Sequence, residues 1–334
     1  MNNEISPRLL ADIGGTNARF AWQTHRDAAL TDVASYPCAA HESLEAAIRH
    51  YLTQHHKDIP PDCAIGIANP ILGDLVQMTN HHWSFSISQL QRNLGFTQLK
   101  VINDFSALAL SLPTLQASDL HAIGQGVGVM GAPMAVMGAP MPVPGAPMAV
   151  LGPGTGLGVS GLLPSSAGKF VFITGEGGHV TLAPDSDFET AVVGWLARRF
   201  GHASAERALS GPGLVNLYEA ACAIAKQPAQ ALTAADIIER ARGGVDAHCT
   251  ATVQLFCAFL GSVAGNLALT LGARGGVYIG GGIAPRMLAE LESSTFRERF
   301  VAKGRFRGYL NAIPTYVIDA KVSPALAGAA RALD

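Results

Sequence analysis

The chain has 334 residues, of which 49% are hydrophobic and 14% charged, with a net charge of −2. That composition excludes a disordered chain, and the absence of any basic run removes a general attraction to nucleic acid or anionic membrane. The length predicts two domains around a cleft, with small molecules as partners.

The opening stretch, L-L-A-D-I-G-G-T-N-A-R-F at Leu9–Phe20, runs apolar residues into an acid, two glycines and three hydrogen-bond donors. It predicts a strand turning sharply at Gly14 and Gly15, where missing Cβ atoms let backbone N–H groups approach an anion. Asp12 repels phosphate unless a divalent cation, Mg²⁺ by chemistry, sits between them. A plain glycine hairpin is the alternative for this stretch by itself.

Further strands are predicted at Ala18–Thr24 and Asp32–Tyr36 as an antiparallel ribbon, and a helix at Glu42–Tyr51 with Leu44, Ala47, Ile48 and Tyr51 on one face. Strands follow at Cys63–Ala68, Val76–Thr79 and Leu99–Ile102, with a helix at Ser86–Leu94 closed by Gly95. The order is that of an α/β domain. Thr79, Asn80, His81, His82 and Trp83 form a polar cluster suited to a sugar, although the paired histidines lack a third metal ligand at suitable spacing. Asn103, Asp104 and Phe105 end the Leu99–Ile102 strand, where ligands gather in open α/β sheets. Asp104 is there either a general base or the N-cap of a helix over Ser106–Leu112.

At residues 127–150 the heptad G-A-P-M-x-V-x occurs three times, from Gly131, Gly138 and Gly145. A proline in each copy excludes a coiled coil. The repeat predicts a duplicated loop and strand edge in which the third copy supplies the strand. Leu151–Val159, L-G-P-G-T-G-L-G-V, is a second strand-turn-strand of glycines around Thr155. It lacks the Lys of a Walker loop and the helix of a dinucleotide fingerprint. Two such turns, one per half of the chain, could clamp one polyphosphate. G-E-G-G-H at Gly175–His179 offers Glu176 as acceptor and His179 as donor to a small polar ligand.

Helices are predicted at Asp187–Phe200, Gly213–Lys226 and Ala234–Ala241, with Glu206, a surface charge by itself, in between. Val253–Ala273 runs about the length of a membrane span. Gln254, Ser262, Asn266 and Thr270 interrupt it, which favours a buried helix. G-G-V-Y-I-G-G-G-I-A-P-R at Gly275–Arg286 suits a base or ribose against bare backbone. Ser323 and Pro324 read as the cap and first turn of a terminal helix. Five scattered cysteines without a C-x-x-C pair predict a reducing compartment, and the N-terminus lacks an apolar signal region.

Taken in order, D-I-G-G-T-N-A-R, N-H-x-W at Asn80–Trp83, N-D-F, G-T-G-L-G at Gly154–Gly158, G-E-G-G-H, S-A-E-R-x-L-S-G-P-G at Ser204–Gly213 and G-G-V-x-I-x-G-G-I at Gly275–Ile283 resemble the bacterial glucokinases. These are of the proteobacterial type, within the hexokinase, Hsp70 and actin superfamily. The resemblance spans nearly the whole chain. The G-A-P-M repeat departs from the family pattern, and the cysteine-rich zinc motif of the related repressor branch is absent. The resemblance implies an α/β, two-domain actin-like ATPase (ribonuclease H-like) fold with a cleft. The small domain would comprise residues 1–114 plus 319–334, and the large domain residues 115–318. It implies a cytoplasmic homodimeric enzyme that phosphorylates glucose at its 6-hydroxyl with ATP and Mg²⁺. By the same resemblance Asp104 is the base, and Asn80, Asn103, Asp104, Glu176, His179 and Glu206 hold the sugar. Asp12, Gly14, Gly15, Thr16 and Asn17 form the first phosphate loop, and Gly154, Thr155 and Gly156 the second. Gly280, Gly281 and Gly282 receive the adenosine, and Asp12 faces Mg²⁺ through water. A kinase for another hexose is the nearest alternative. A sugar-binding regulator would need a DNA-binding motif ahead of the first loop, and a sugar-free ATPase leaves the polar cluster without a task.

Overall fold

Alternation of side chains along the first strand organises the N-terminal half of the protein. In the computed structural model, which describes residues 6–78, 81–124, 141–165 and 169–334, β1 (Arg8–Ile13) is buried along its length. Its odd-numbered residues Leu9, Ala11 and Ile13 enter one core cluster with Phe20, Ile48 and Tyr51. Leu10 enters another on the opposite face with Ala21, Ala64, Leu326 and Ala329. Asp12 therefore shares the face of Leu10.

The chain divides into two compact units: Met1–Gln116 with Phe170–Thr174 and Ala320–Asp334, and Ala117–Lys169 with Gly175–Asp319. In the first, β1 pairs antiparallel with β2 (Asn17–Gln23), which pairs antiparallel with β3 (Thr31–Pro37). After α1 (Leu44–Gln54), β4 (Asp62–Ile67) joins β1 in parallel. After α2 (Ile87–Leu94), β5 (Gln98–Asn103) joins β4 in parallel. The sheet order is β3-β2-β1-β4-β5. Ser43 and Ser86 cap α1 and α2 by accepting from Ala46 N and Gln89 N, and Gly95 closes α2 at φ +74°. The expected strand at Val76–Thr79 forms as Leu75–Gln77, one arm of a small hairpin with Ser84–Ser86.

α3 (Asp104–Ser111) starts two residues earlier than its apolar run suggests. The cap is Asn103, whose side chain accepts from Phe105 N and Ser106 N, so Asp104 is not the cap but the first helical residue. The amide of Asn103 provides the N-cap acceptor, which releases the Asp104 carboxyl from that task.

The second unit opens with β6 (Leu120–Ala122). β7 (Met148–Pro153) and β8 (Leu157–Pro164) pair antiparallel around the G-P-G-T-G turn. The third heptad copy thus supplies β7 as expected, whereas the first copy and the first three residues of the second, 138–140, lie outside the described residues. Helices α4 (Asp187–Phe200), α5 (Gly211–Ile224), α6 (Ala234–Arg242) and α7 (Ala247–Leu271) follow. Then come β9 (Val277–Ile279), three short helices α8 (Leu288–Ser293), α9 (Phe296–Val301) and α10 (Arg307–Asn311), and β10 (Thr315–Ile318). β9 is parallel to both β7 and β10, and β6 is antiparallel to β10, so the strands that this unit contributes run in the order β8-β7-β9-β10-β6. Both units therefore repeat one plan: an antiparallel strand-turn-strand whose first strand has a parallel partner. α11 (Pro324–Arg331) belongs to the first unit.

The 25-residue α7 is long and apolar enough to cross a membrane, yet 72% of its most apolar window is buried within the protein. Its burial is specific. A Cβ at Gly261 would lie 2.2 Å from Phe296 O, and one at Gly265 would lie 2.4 Å from Phe300 O, so these two glycines admit the backbone of α9.

Candidate active site

The first turn is built by backbone. Gly14 N donates to Asn17 O at 2.9 Å across the β1–β2 connection, and Cys38 N donates to Thr16 O at 2.8 Å. Thr16 is exposed at the apex. Asp12, 7% exposed, ends β1 beside this turn. Its Oδ2 accepts from Arg19 Nη1 at 3.3 Å and from Ser323 Oγ at 2.7 Å. Arg19 is its cross-strand partner in the β1–β2 register.

Asp104 lies at the carboxyl end of β5 in the same unit. Asn103 Nδ2 and Phe105 N both donate to its Oδ1 at 2.9 Å, and neither bond engages Oδ2. Burial, reinforced by the negative charge of Asp12, raises the Asp104 carboxyl to about 6, against the lowering effect of those donors. Asn103 thus both caps α3 and steadies the carboxyl beside it.

In the second unit, Gly154 N donates to Gly156 O at 2.8 Å, and Gly211 N at the start of α5 donates to Gly154 O at 2.8 Å. Thr155 is exposed at the apex. Glu206 accepts from Leu157 N through Oε2 at 2.9 Å. A Cβ at Gly156 would lie 2.4 Å from that oxygen, so the glycine makes room for the carboxylate. Glu206 is therefore no free surface charge: one oxygen supports the turn. Gly280 N donates to Leu151 O at 2.8 Å. Gly281, at φ +78°, sits where a Cβ would be 2.4 Å from Pro153 O. The Gly280–Gly282 turn thus packs directly on the second phosphate-type turn, because β9 and β7 are parallel neighbours.

Glu176, which precedes a short 3-10 turn over Gly177–His179, and His179, which ends it, are both exposed. A Cβ at Gly178 would meet Leu157 O at 2.1 Å, which fixes this turn against β8. Asn80 lies outside the described residues. Within the first unit the structure brings together Asp12, Gly14, Gly15, Thr16, Asn17, Asn103 and Asp104. Within the second it brings together Gly154, Thr155, Gly156, Glu206 and Gly280–Gly282. Among the described residues no three His, Cys, Asp or Glu side chains form a metal cage. A single half-engaged carboxylate, Asp12, suits Mg²⁺, which takes one or two carboxylates and fills its shell with phosphate and water. Ser323 was not legible as a site residue, since serine before proline signals a helix start.

Two units of this plan, each with a glycine turn at the carboxyl end of its first strand, define a two-domain actin-like ATPase fold of the branch that contains sugar kinases. The glucokinase family description matches residues 9–334. The chain is 50% identical to a glucokinase of Aromatoleum aromaticum, over 99% of this chain and 96% of that one. It is 48% identical to a glucokinase of Neisseria meningitidis serogroup C, over 98% and 95%. The crystal structure of a glucokinase from an Antarctic psychrotroph superposes with a TM-score of 0.86 at 38% identity, covering 99% of both chains. The chain belongs to the glucokinase family, enzymes that phosphorylate glucose with ATP.

Proposed function

We propose that this enzyme transfers the γ-phosphoryl group of ATP to the 6-hydroxyl of glucose with Asp104 as general base. The observation that carries the reading is the Asp104 carboxyl itself: Oδ1 is held by two donors while Oδ2 is left to accept. A carboxyl raised to about 6 is ionised at neutral pH yet more basic than an ordinary one. It can take the hydroxyl proton as the oxygen–phosphorus bond forms, an effect of about 10²- to 10⁴-fold. Phosphoryl transfer otherwise demands positioning and charge neutralisation.

The Gly14–Asn17 and Gly154–Gly156 turns hold the phosphates through backbone N–H groups, and Gly280–Gly282 receives the adenosine. Asn103, Glu176, His179, Glu206 and Asn80 hold sugar hydroxyls, and an analogue lacking one leaves its partner unpaired. Asp12 holds Mg²⁺ through water, and the ion when bound neutralises the phosphate charge. The enzyme works in the cytoplasm as a homodimer, which light scattering of the purified protein tests.

Asp104→Asn is expected to retain glucose binding by calorimetry and to lose turnover; undiminished turnover removes Asp104 from its role. Comparison of kcat/KM across glucose, mannose and fructose tests the sugar, and a preference for either of the latter overturns glucose.

A further inference from the structure

Seven helices among the described residues begin with a Ser, Thr, Asn or Asp whose side chain accepts from its own first turn: Ser43, Ser86, Asn103, Ser186, Ser210, Thr233 and Asp246. Ser323 occupies the same position in α11, with Pro324 following, and makes no such bond. Its hydroxyl donates instead to Asp12 Oδ2, 311 residues away in sequence. The helix forgoes a cap that its sequence provides, and the hydroxyl serves a buried carboxylate.

We propose that Ser323 is a positioning residue for Asp12, fixing its carboxylate so that Oδ1 is presented to the cation and nucleotide. The inference rests on the reading of Asp12 given above. Both protein donors to Asp12 fall on Oδ2, so a cation and its water shell have the other oxygen. Of the two, Arg19 is the longer contact and its side chain is 43% exposed, which makes it the weaker restraint.

Ser323 is held firmly enough for the task. Leu326, Ala329 and Ala330 pack on Leu10, Ala21 and Ala64, the sheet face that Asp12 shares. A Cβ at Gly328 would fall 1.6 Å from Ala107 O, so α11 lies against the backbone of α3 and cannot slide without a clash. One terminal helix thus braces the helix that starts with Asp104 and delivers a hydroxyl to Asp12.

The test uses the full-length enzyme with Ser323→Ala, Ser323→Thr and Asp12→Asn. The readouts are KM for MgATP and for glucose, the Mg²⁺ concentration for half activity, calorimetric ATP affinity with and without Mg²⁺ in the absence of sugar, and the thermal midpoint. Loss of a hydrogen bond to a charged group predicts that Ser323→Ala raises KM for MgATP and the Mg²⁺ requirement about tenfold. The Mg²⁺-dependent part of ATP affinity falls equally and KM for glucose stays near wild type, while the melting midpoint drops only by the loss of this one hydrogen bond, since no cap is lost. Ser323→Thr retains the hydroxyl and restores both values. A lowered midpoint with kcat and both KM values changed together, or an unchanged Mg²⁺ requirement, overturns the proposal. If Asp12→Asn leaves the Mg²⁺ requirement unchanged, the reading of Asp12 itself fails. If Asp12→Asn raises it and Ser323→Ala does not, the inference about Ser323 alone fails.

Discussion

Replacing Asp104 by Asn should inactivate the enzyme and stabilise it in the same step. A carboxyl raised from 3.8 to about 6 by burial and by Asp12 has its charged form disfavoured in the folded state by about 3 kcal/mol. Because the folded value is the higher one, the stability this group contributes is fully present below 3.8 and is lost as pH rises through about 6. Asparagine carries no charge at any pH and can keep the acceptor at Oδ1 for Asn103 Nδ2 and Phe105 N. The wild-type deficit relative to Asp104→Asn should therefore open above pH 4 and be complete above pH 6, reaching about 1–3 kcal/mol after allowance for solvent reaching the half-buried group. Urea unfolding of both proteins at pH 5 and pH 8 measures it, with the larger gap at pH 8. A variant that is less stable than wild type at pH 8, or a gap that narrows as pH rises, would refute the argument. Activity supplies the complementary limb: kcat/KM of the wild type should fall about tenfold per pH unit below 6.

Three further outcomes follow from other contacts. Asp12→Asn removes the negative charge that helps raise Asp104, so the acidic limb of the pH–rate profile should move to lower pH; a limb left in place would show that burial acts by itself. Gly261→Ala places a methyl 2.2 Å from Phe296 O and should destabilise the second unit by about 1–3 kcal/mol, read as a lower urea midpoint. Arg299→Ala strips Glu189, 4% exposed, of its paired guanidinium, leaving Asp185 N, at 2.8 Å, as its one donor among the described residues. The cost should be about 3–5 kcal/mol, and Arg299→Ala with Glu189→Gln should recover part of it.

Much of the local structure was legible because it depends on neighbours in sequence. The 3.6-residue spacing of Leu44, Ala47, Ile48 and Tyr51 marked α1, and Gly95 marked the end of α2. The polar interruptions in the long apolar run pointed to a buried helix, and α7 is mostly buried. The third heptad copy was readable as a strand because its apolar run leads directly into a glycine turn. Ordered motifs from Asp12 to Ile283 identified the family that the comparisons establish.

Boundaries were less secure. α3 begins at Asp104 and not at Ser106 because the amide of Asn103, not the run of apolar residues, decides where the helix is capped.

What sequence by itself determined was each segment's local geometry and the residue types at its turns, since backbone sterics, periodicity and capping act over a few residues. Only the tertiary structure decided which distant groups share those types. It placed the hydroxyl of Ser323 on Asp12 and not on its own helix. It set Glu206 against Leu157 N in the space that Gly156 leaves open. It packed Gly281 over Pro153 through the parallel pairing of β7 and β9. Each contact joins residues from 49 to 311 positions apart, and no local preference specifies it. The Asp12 carboxylate shows the division most plainly: strand alternation assigned its face, and a helix from the far end of the chain supplied its partner.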